Sequence, residues 1–234
     1  QFAGIVGSYT ESVHGEGLLE KGLVDTATCN DCHTAHMELP SSDPRSSVHP
    51  AHVADTCGQC HSGIEQEFLN SIHSPAVSGQ PAEKLPVCSS CHTAHSISRT
   101  AEEEFKEGIL NTCGACHEDV AETYFETYHG KVSREGVERA ARCYHCHGSH
   151  DILPPSNPAS HLSRDNIVET CAQCHEGSHL RFAAGYLTHA THHDPEKYPA
   201  LFYAFWGMTA LLVGTFAFFG FHTLAWLPRS WREM

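Results

Sequence analysis

The chain has 234 residues, 14 of them basic and 28 acidic, for a formal net charge of −14. Such a surface repels nucleic acid, which is bound by neutralising phosphates, and favours a partner with a basic rim. Twelve cysteines and 21 histidines stand in a sequence of modest aliphatic content outside its last segment, so ordinary side chains give too little core for the first 200 or so residues.

In chain order the first element is a leading histidine, His14 in ESVHG, followed by CNDCHTAH (Cys29 to His36) and then DTCGQCH ending at His61. The same series returns as NSIHS with His73, CSSCHTAH (Cys88 to His95) and NTCGACH ending at His117. It returns again as ETYHG with His129, CYHCHGSH (Cys143 to His150) and ETCAQCH ending at His175. These are three repeats, spanning about residues 10–64, 65–120 and 121–180, and a fixed period of this kind marks a repeated structural unit.

Every cysteine lies in a CxxC pair followed at once by histidine: Cys29/Cys32/His33, Cys57/Cys60/His61, Cys88/Cys91/His92, Cys113/Cys116/His117, Cys143/Cys146/His147 and Cys171/Cys174/His175. CxxCH is the attachment signature of c-type haem, in which both thiols bond the porphyrin and the adjoining imidazole is the proximal iron ligand. Zinc ribbons do not require histidine after every second cysteine, and a disulfide framework has no use for the histidines. The expected cofactors are six haem c, and the porphyrins are then the core on which folding depends.

Two further histidines recur in every unit and are the candidate distal ligands: His14, His73 and His129 ahead of the first pair, and His36, His95 and His150 three residues after the first proximal ligand. A histidine so near cannot reach the far face of its own iron, so it must serve a neighbouring haem. With short loop closures favoured, the expected pairs are His33/His14, His61/His36, His92/His73, His117/His95, His147/His129 and His175/His150. In an alternative register each leading histidine serves the preceding unit, and His189, His192 or His193 in YLTHATHH supplies the last ligand. His49, His52 and His161 do not recur and are expected to hydrogen-bond or lie at the surface.

Between the motifs, Thr100 and Glu103 read as a capping box and Ser133 as the start of a second short helix. LPSSDPRSS and LPPSNPAS read as proline-serine loops in corresponding places, and no strand alternation is sustained. From Ala200 to Leu227 there is no charged residue, which is enough for one transmembrane helix. Trp206, Trp226 and Trp231 suit the membrane interfaces, and Arg229 with Arg232 places the C-terminus in the cytoplasm and the haems outside. Gly207, Ala210, Gly214 and Ala217 share a face that permits close helix packing. His222 is the only ionisable group within the segment, open to a bond with quinone, a partner's propionate, a neighbouring helix or the headgroups. The expected architecture is mainly α with extensive loops: a haem-packed ectodomain of three dihaem repeats over 1–198, a transmembrane helix over 199–228 and a cytoplasmic tail over 229–234.

In its six CxxCH sites, three CHxxH extensions and terminal anchor, the chain resembles the membrane-anchored multihaem c-type cytochromes that carry electrons between the quinone pool and periplasmic redox partners. The resemblance implies haem attachment outside the cytoplasm. A cleaved export signal ahead of Gln1 would then explain a chain without an initial methionine, with a truncated chain as the alternative. In the quinol oxidisers of that group the anchor is N-terminal, whereas here it is C-terminal, so a separate quinone-interacting or b-type cytochrome subunit is the expected membrane partner and a periplasmic redox protein the other. Irons with two histidines have no open position, which makes an electron conduit the expected function and catalytic residues absent. The alternative is a multihaem reductase or dehydrogenase of a small nitrogen or sulfur oxyanion, which requires an iron with an exchangeable site.

Overall fold

The computed structural model describes residues 2–185 and 189–233. The chain forms two compact units, residues 1–186 and 187–234. The first is built of short helices and turns, and among the described residues there is no strand.

The first and third repeats open on the same local device. Ser12 accepts a hydrogen bond from the Gly15 N–H at 3.2 Å, and Thr127 from the Gly130 N–H at 3.1 Å, which caps the short helices Val13–Leu19 and Tyr128–Arg134 at their first turn. The leading histidines His14 and His129 therefore sit on the first turn of a capped helix. The glycine that follows each is required by space, since a Cβ on Gly15 would collide with the Tyr9 carbonyl and one on Gly130 with the Tyr124 carbonyl. In the middle repeat Ser71 accepts from the His73 N–H at 3.2 Å, and a fully buried Ser74 follows.

Five residues before each leading histidine stands an aromatic ring: Tyr9, Phe68 and Tyr124. The Tyr9 hydroxyl donates to the Ala27 carbonyl at 3.0 Å and Tyr124 to that of Ala141 at 2.7 Å. Each bond ties the leading segment to the residue two before the first cysteine of its repeat. The first CxxCH of every repeat is a five-residue helix, Cys29–His33, Cys88–His92 and Cys143–His147. Its start is held by the variable residue before the second cysteine. Asp31 accepts from the Thr28 N–H at 2.7 Å, Ser90 from Val87 at 3.0 Å and His145 from Arg142 at 2.9 Å. Different side chains thus satisfy the same orphan donor. The second CxxCH of each repeat begins near the end of a helix, Val53–Gly58, Glu103–Gly114 or Ile167–Ala172.

The two proline-serine loops are superposable in bonding as well as place. Ser46 donates to the Leu39 carbonyl and Ser160 to that of Leu153, both at 3.0 Å. Thr56 donates to the Ser47 carbonyl and Thr170 to that of His161, both at 2.7 Å. His52 bonds the Pro44 carbonyl through Nε2 at 3.0 Å, as Asn166 bonds Pro158; His52 is a brace, as expected of a non-recurring histidine.

Two expected helix starts are corrected. The helix over 103–114 begins at Glu103 without a Thr100–Glu103 box, because the Glu103 carboxylate pairs with the almost wholly buried Arg142 and with Lys106. Ser133 lies at the end of Tyr128–Arg134 and opens no helix. That helix is already capped by Thr127, and the chain turns out of it at Gly136, whose φ of 76° suits a residue without Cβ.

The second unit is dominated by one helix, Pro199–Glu233, longer than the expected 199–228 and continuing through Pro228. Its stretch Pro199–Arg229 is long and apolar enough to cross a membrane. Leu211, Phe216, Phe219 and Phe221 stand on different sides of it and are all exposed; a helix apolar all round belongs in an apolar medium. Met234, the last residue of the expected tail, lies outside the described residues.

Candidate functional site

The twelve thiols form one continuous series in chain order. Burial raises the pKa of Cys32, with Cys57 and Cys60 adding to it. Burial likewise raises Cys91, with Cys113 and Cys116 behind it, and Cys146, with Cys171 and Cys174. Between repeats the thiols are neighbours: Cys88 beside Cys57 holds the first up and is itself held down, and Cys113 stands in the same relation to Cys143. Each CxxC pair therefore neighbours the next from the first repeat to the third.

The histidines pair just as regularly. The ring of His14 faces His61 at 6.4 Å between centroids, His73 faces His117 at 6.3 Å and His129 faces His175 at 6.0 Å. His95 faces His33 and His150 faces His92, both at 6.1 Å. A metal–imidazole bond is about 2.0–2.1 Å and a ring nitrogen lies about 1.1 Å from its ring centre, so two imidazoles on opposite faces of one metal stand roughly 6.3 Å apart. All five spacings, between 6.0 and 6.4 Å, fit that arrangement, and in each pair one ring belongs to a CxxCH site.

These ring contacts differ from the pairs expected in either register. Leading histidines stay within their own repeat but face its second CxxCH, not its first; His14 meets His61 rather than His33. The CHxxH histidines reach back to the first CxxCH of the preceding repeat, so His95 meets His33 rather than His117, and His150 meets His92 rather than His175. The two CxxC helices of each repeat pack on one another, yet the imidazole facing the first CxxCH site of the first and second repeats comes from the next repeat. His36, the first of the CHxxH series, is exposed, and among the described residues it faces no ring. The five pairs do not include His147. His189, His192 and His193 belong to the second unit, where the His192 ring lies against Phe205 at 3.8 Å and His193 at 3.9 Å.

The turn that aims each CHxxH histidine is strained. Thr34 and Thr93, directly after the proximal histidines, have φ of 65° and 64° with an extended ψ, a region that β-branched residues avoid. The third repeat has Gly148 there at φ 81°. Strain of this kind persists where the surroundings over-determine the backbone.

Burial first, and the facing imidazole second, push the pKa of His14, His73 and His129 below 6.5. His92 is lowered by burial, then by His150 and His61. The folded chain thus favours the neutral imidazole, the form that binds metal. Between these depressed values and 6.5 the unfolded chain holds more protons, so stability falls as pH falls through that window. The expected result is unfolding at lower denaturant at pH 5 than at pH 7, read by circular dichroism; an unchanged midpoint would contradict it.

Several supporting residues carry no motif. Phe105 lies parallel to His92 at 5.3 Å and Phe182 lies against His175 at 5.1 Å. Glu67 stands 3.9 Å from His150 Nδ1, a carboxylate beside the imidazole that faces His92. Beside that pair a cavity of about 330 Å³ is lined by Tyr144, His145, Gly148, Asp151 and His161, with His161 bonded to Asp151 at 2.7 Å. The aromatic positions five before each leading histidine recur at a fixed offset, a signal that was present in the sequence. Phe105, Phe182 and Glu67 left no such trace. No family model, characterised protein or solved structure matches this chain.

Proposed function

We propose that this chain is an electron-transfer subunit carrying six c-type haems, which passes electrons between a membrane quinone or cytochrome b partner and extracytoplasmic redox proteins. The observation that supports the reading best is the set of five opposed imidazole pairs, each spanning one metal's width and each built on a CxxCH site. When bound, haem supplies one-electron chemistry tuned by its axial ligands and burial. The cysteines anchor the ring edge, His33, His61, His92, His117, His147 and His175 are the proximal ligands, and His14, His73, His129, His95 and His150 complete five of the irons. Opposed imidazoles leave no exchangeable position at those five, which favours conduction over a reductase or dehydrogenase acting on small oxyanions. The unbroken succession of CxxC pairs supports transfer along the chain.

The single apolar helix anchors this subunit in the cytoplasmic membrane. Arg229 and Arg232 support a cytoplasmic C-terminus, with the haem-bearing unit on the extracytoplasmic side. Electron paramagnetic resonance of the oxidised, haem-loaded protein tests the conduit. Low-spin signals unmoved by cyanide or nitrite are expected at those five irons. A high-spin centre among them that binds these ligands would favour the oxyanion reductase. Copurification of a b-type haem subunit tests the membrane partner.

A further inference from the structure

The joints between repeats share two elements. A CHxxH histidine stands over the proximal imidazole of the repeat before it, His95 over His33 and His150 over His92, with interplanar angles of 11° and 17°. Two residues further on, a backbone carbonyl accepts from the residue preceding the earlier repeat's leading histidine: Ile97 from the Val13 N–H at 2.8 Å, and Ile152 from Ile72 at 2.7 Å. The first repeat presents the same edge. His36 follows the same strained turn at Thr34, with φ matching that of Thr93, and Glu38 occupies the position of Ile97. His36, Met37 and Glu38 are all exposed. Among the described residues no ring meets His36, and no backbone N–H is bonded to the Glu38 carbonyl.

We propose that this edge docks a partner electron-transfer protein, and that His36 fills the sixth coordination position of a haem c which that partner carries. The inference rests on the haem reading above. Its warrant is continuity: the same edge already makes both internal joints, and an imidazole held on a strained turn at the surface repeats the arrangement that orients His95 and His150. The acidic chain favours a partner whose haem edge is ringed by basic side chains. Coordination itself needs no redox change; an imidazole nitrogen replaces a water on ferric iron, and the water leaves.

The test uses the full haem-loaded protein in detergent and, as probe, a ferric haem c peptide with one CxxCH histidine and an exchangeable water. Its high-spin paramagnetic resonance signal reports binding. Wild type is expected to convert the probe to low spin at one site per chain. His36→Ala should weaken this by on the order of a hundredfold, while His179→Ala, which removes another exposed histidine, leaves it unchanged. Equal conversion by wild type and His36→Ala would overturn the proposal. So would a high-spin signal in His36→Ala without probe, which would place His36 on an iron of its own chain, and so would self-association of wild type abolished by the same substitution, which would assign the edge to a second copy. Fewer than six haems per chain by pyridine haemochrome would instead defeat the haem reading beneath it.

Discussion

Replacing Cys88 and Cys91 together by alanine is expected to lower the haem content from six to five per chain. The measurement is pyridine haemochrome absorbance against protein mass, with the intact mass falling by one haem beyond the change in side chains. The site is chosen for its place in the structure. Cys88 neighbours Cys57 of the first repeat, while Cys91 neighbours Cys113 and Cys116, so the missing group interrupts the series in its middle. It also strands His150, which faces His92 across the joint to the third repeat. Limited proteolysis should therefore open the second repeat and its joint first, since Leu110 is its one buried apolar side chain among the described residues. An unaltered haem count, or a variant as protease-resistant as wild type, would contradict the assignment of these cysteines to a cofactor that serves as core.

His14→Ala is expected to convert one iron of six to high spin, and the identity of that iron separates the pairing seen in the structure from the short-loop one. If His14 faces the site of Cys57, Cys60 and His61, as its ring position indicates, then removing that site by Cys57→Ala and Cys60→Ala must abolish the effect of His14→Ala. The triple variant should show no high-spin signal beyond that of the double. If His14 instead served His33, the signal would persist in the triple variant. The logic is that of a double-mutant cycle, with spin state as readout, so a modest loss of stability from deleting the site does not obscure it.

The repeat, the paired proline loops and the apolar terminal helix were all legible in the sequence, because each rests on local residue types. The histidine pairing was not. Loop-closure entropy grows only slowly with length: His33 lies 62 positions from His95 against 19 from His14, and His61 lies 47 from His14 against 25 from His36, differences too small to outweigh the packing of one repeat on the next. Thr100 and Ser133 misled for a related reason, since the carboxylate needed for the first box was claimed by Arg142, a residue 39 positions away. Tyr9 and Tyr124 could have been found by aligning the repeats further upstream. The stretches 39–57 and 153–171 align without a gap, which would also have shown that His161 stands where Ser47 does and His52 where Asn166 does.

Because His95 and His150 each reach back into the repeat before them, the subunit is stapled in overlapping fashion and cannot be divided into self-sufficient thirds. A chain delivered to its compartment from the N-terminus leaves the Cys29–His33 site without its second imidazole until residue 95 has arrived, whereas His14 is already waiting when His61 appears. On the proposed haem reading maturation is staggered, with the second site of the first and of the second repeat completed ahead of its first. On that reading, a ribosomal stop between the first two repeats would release a fragment whose foremost site still lacks its second imidazole.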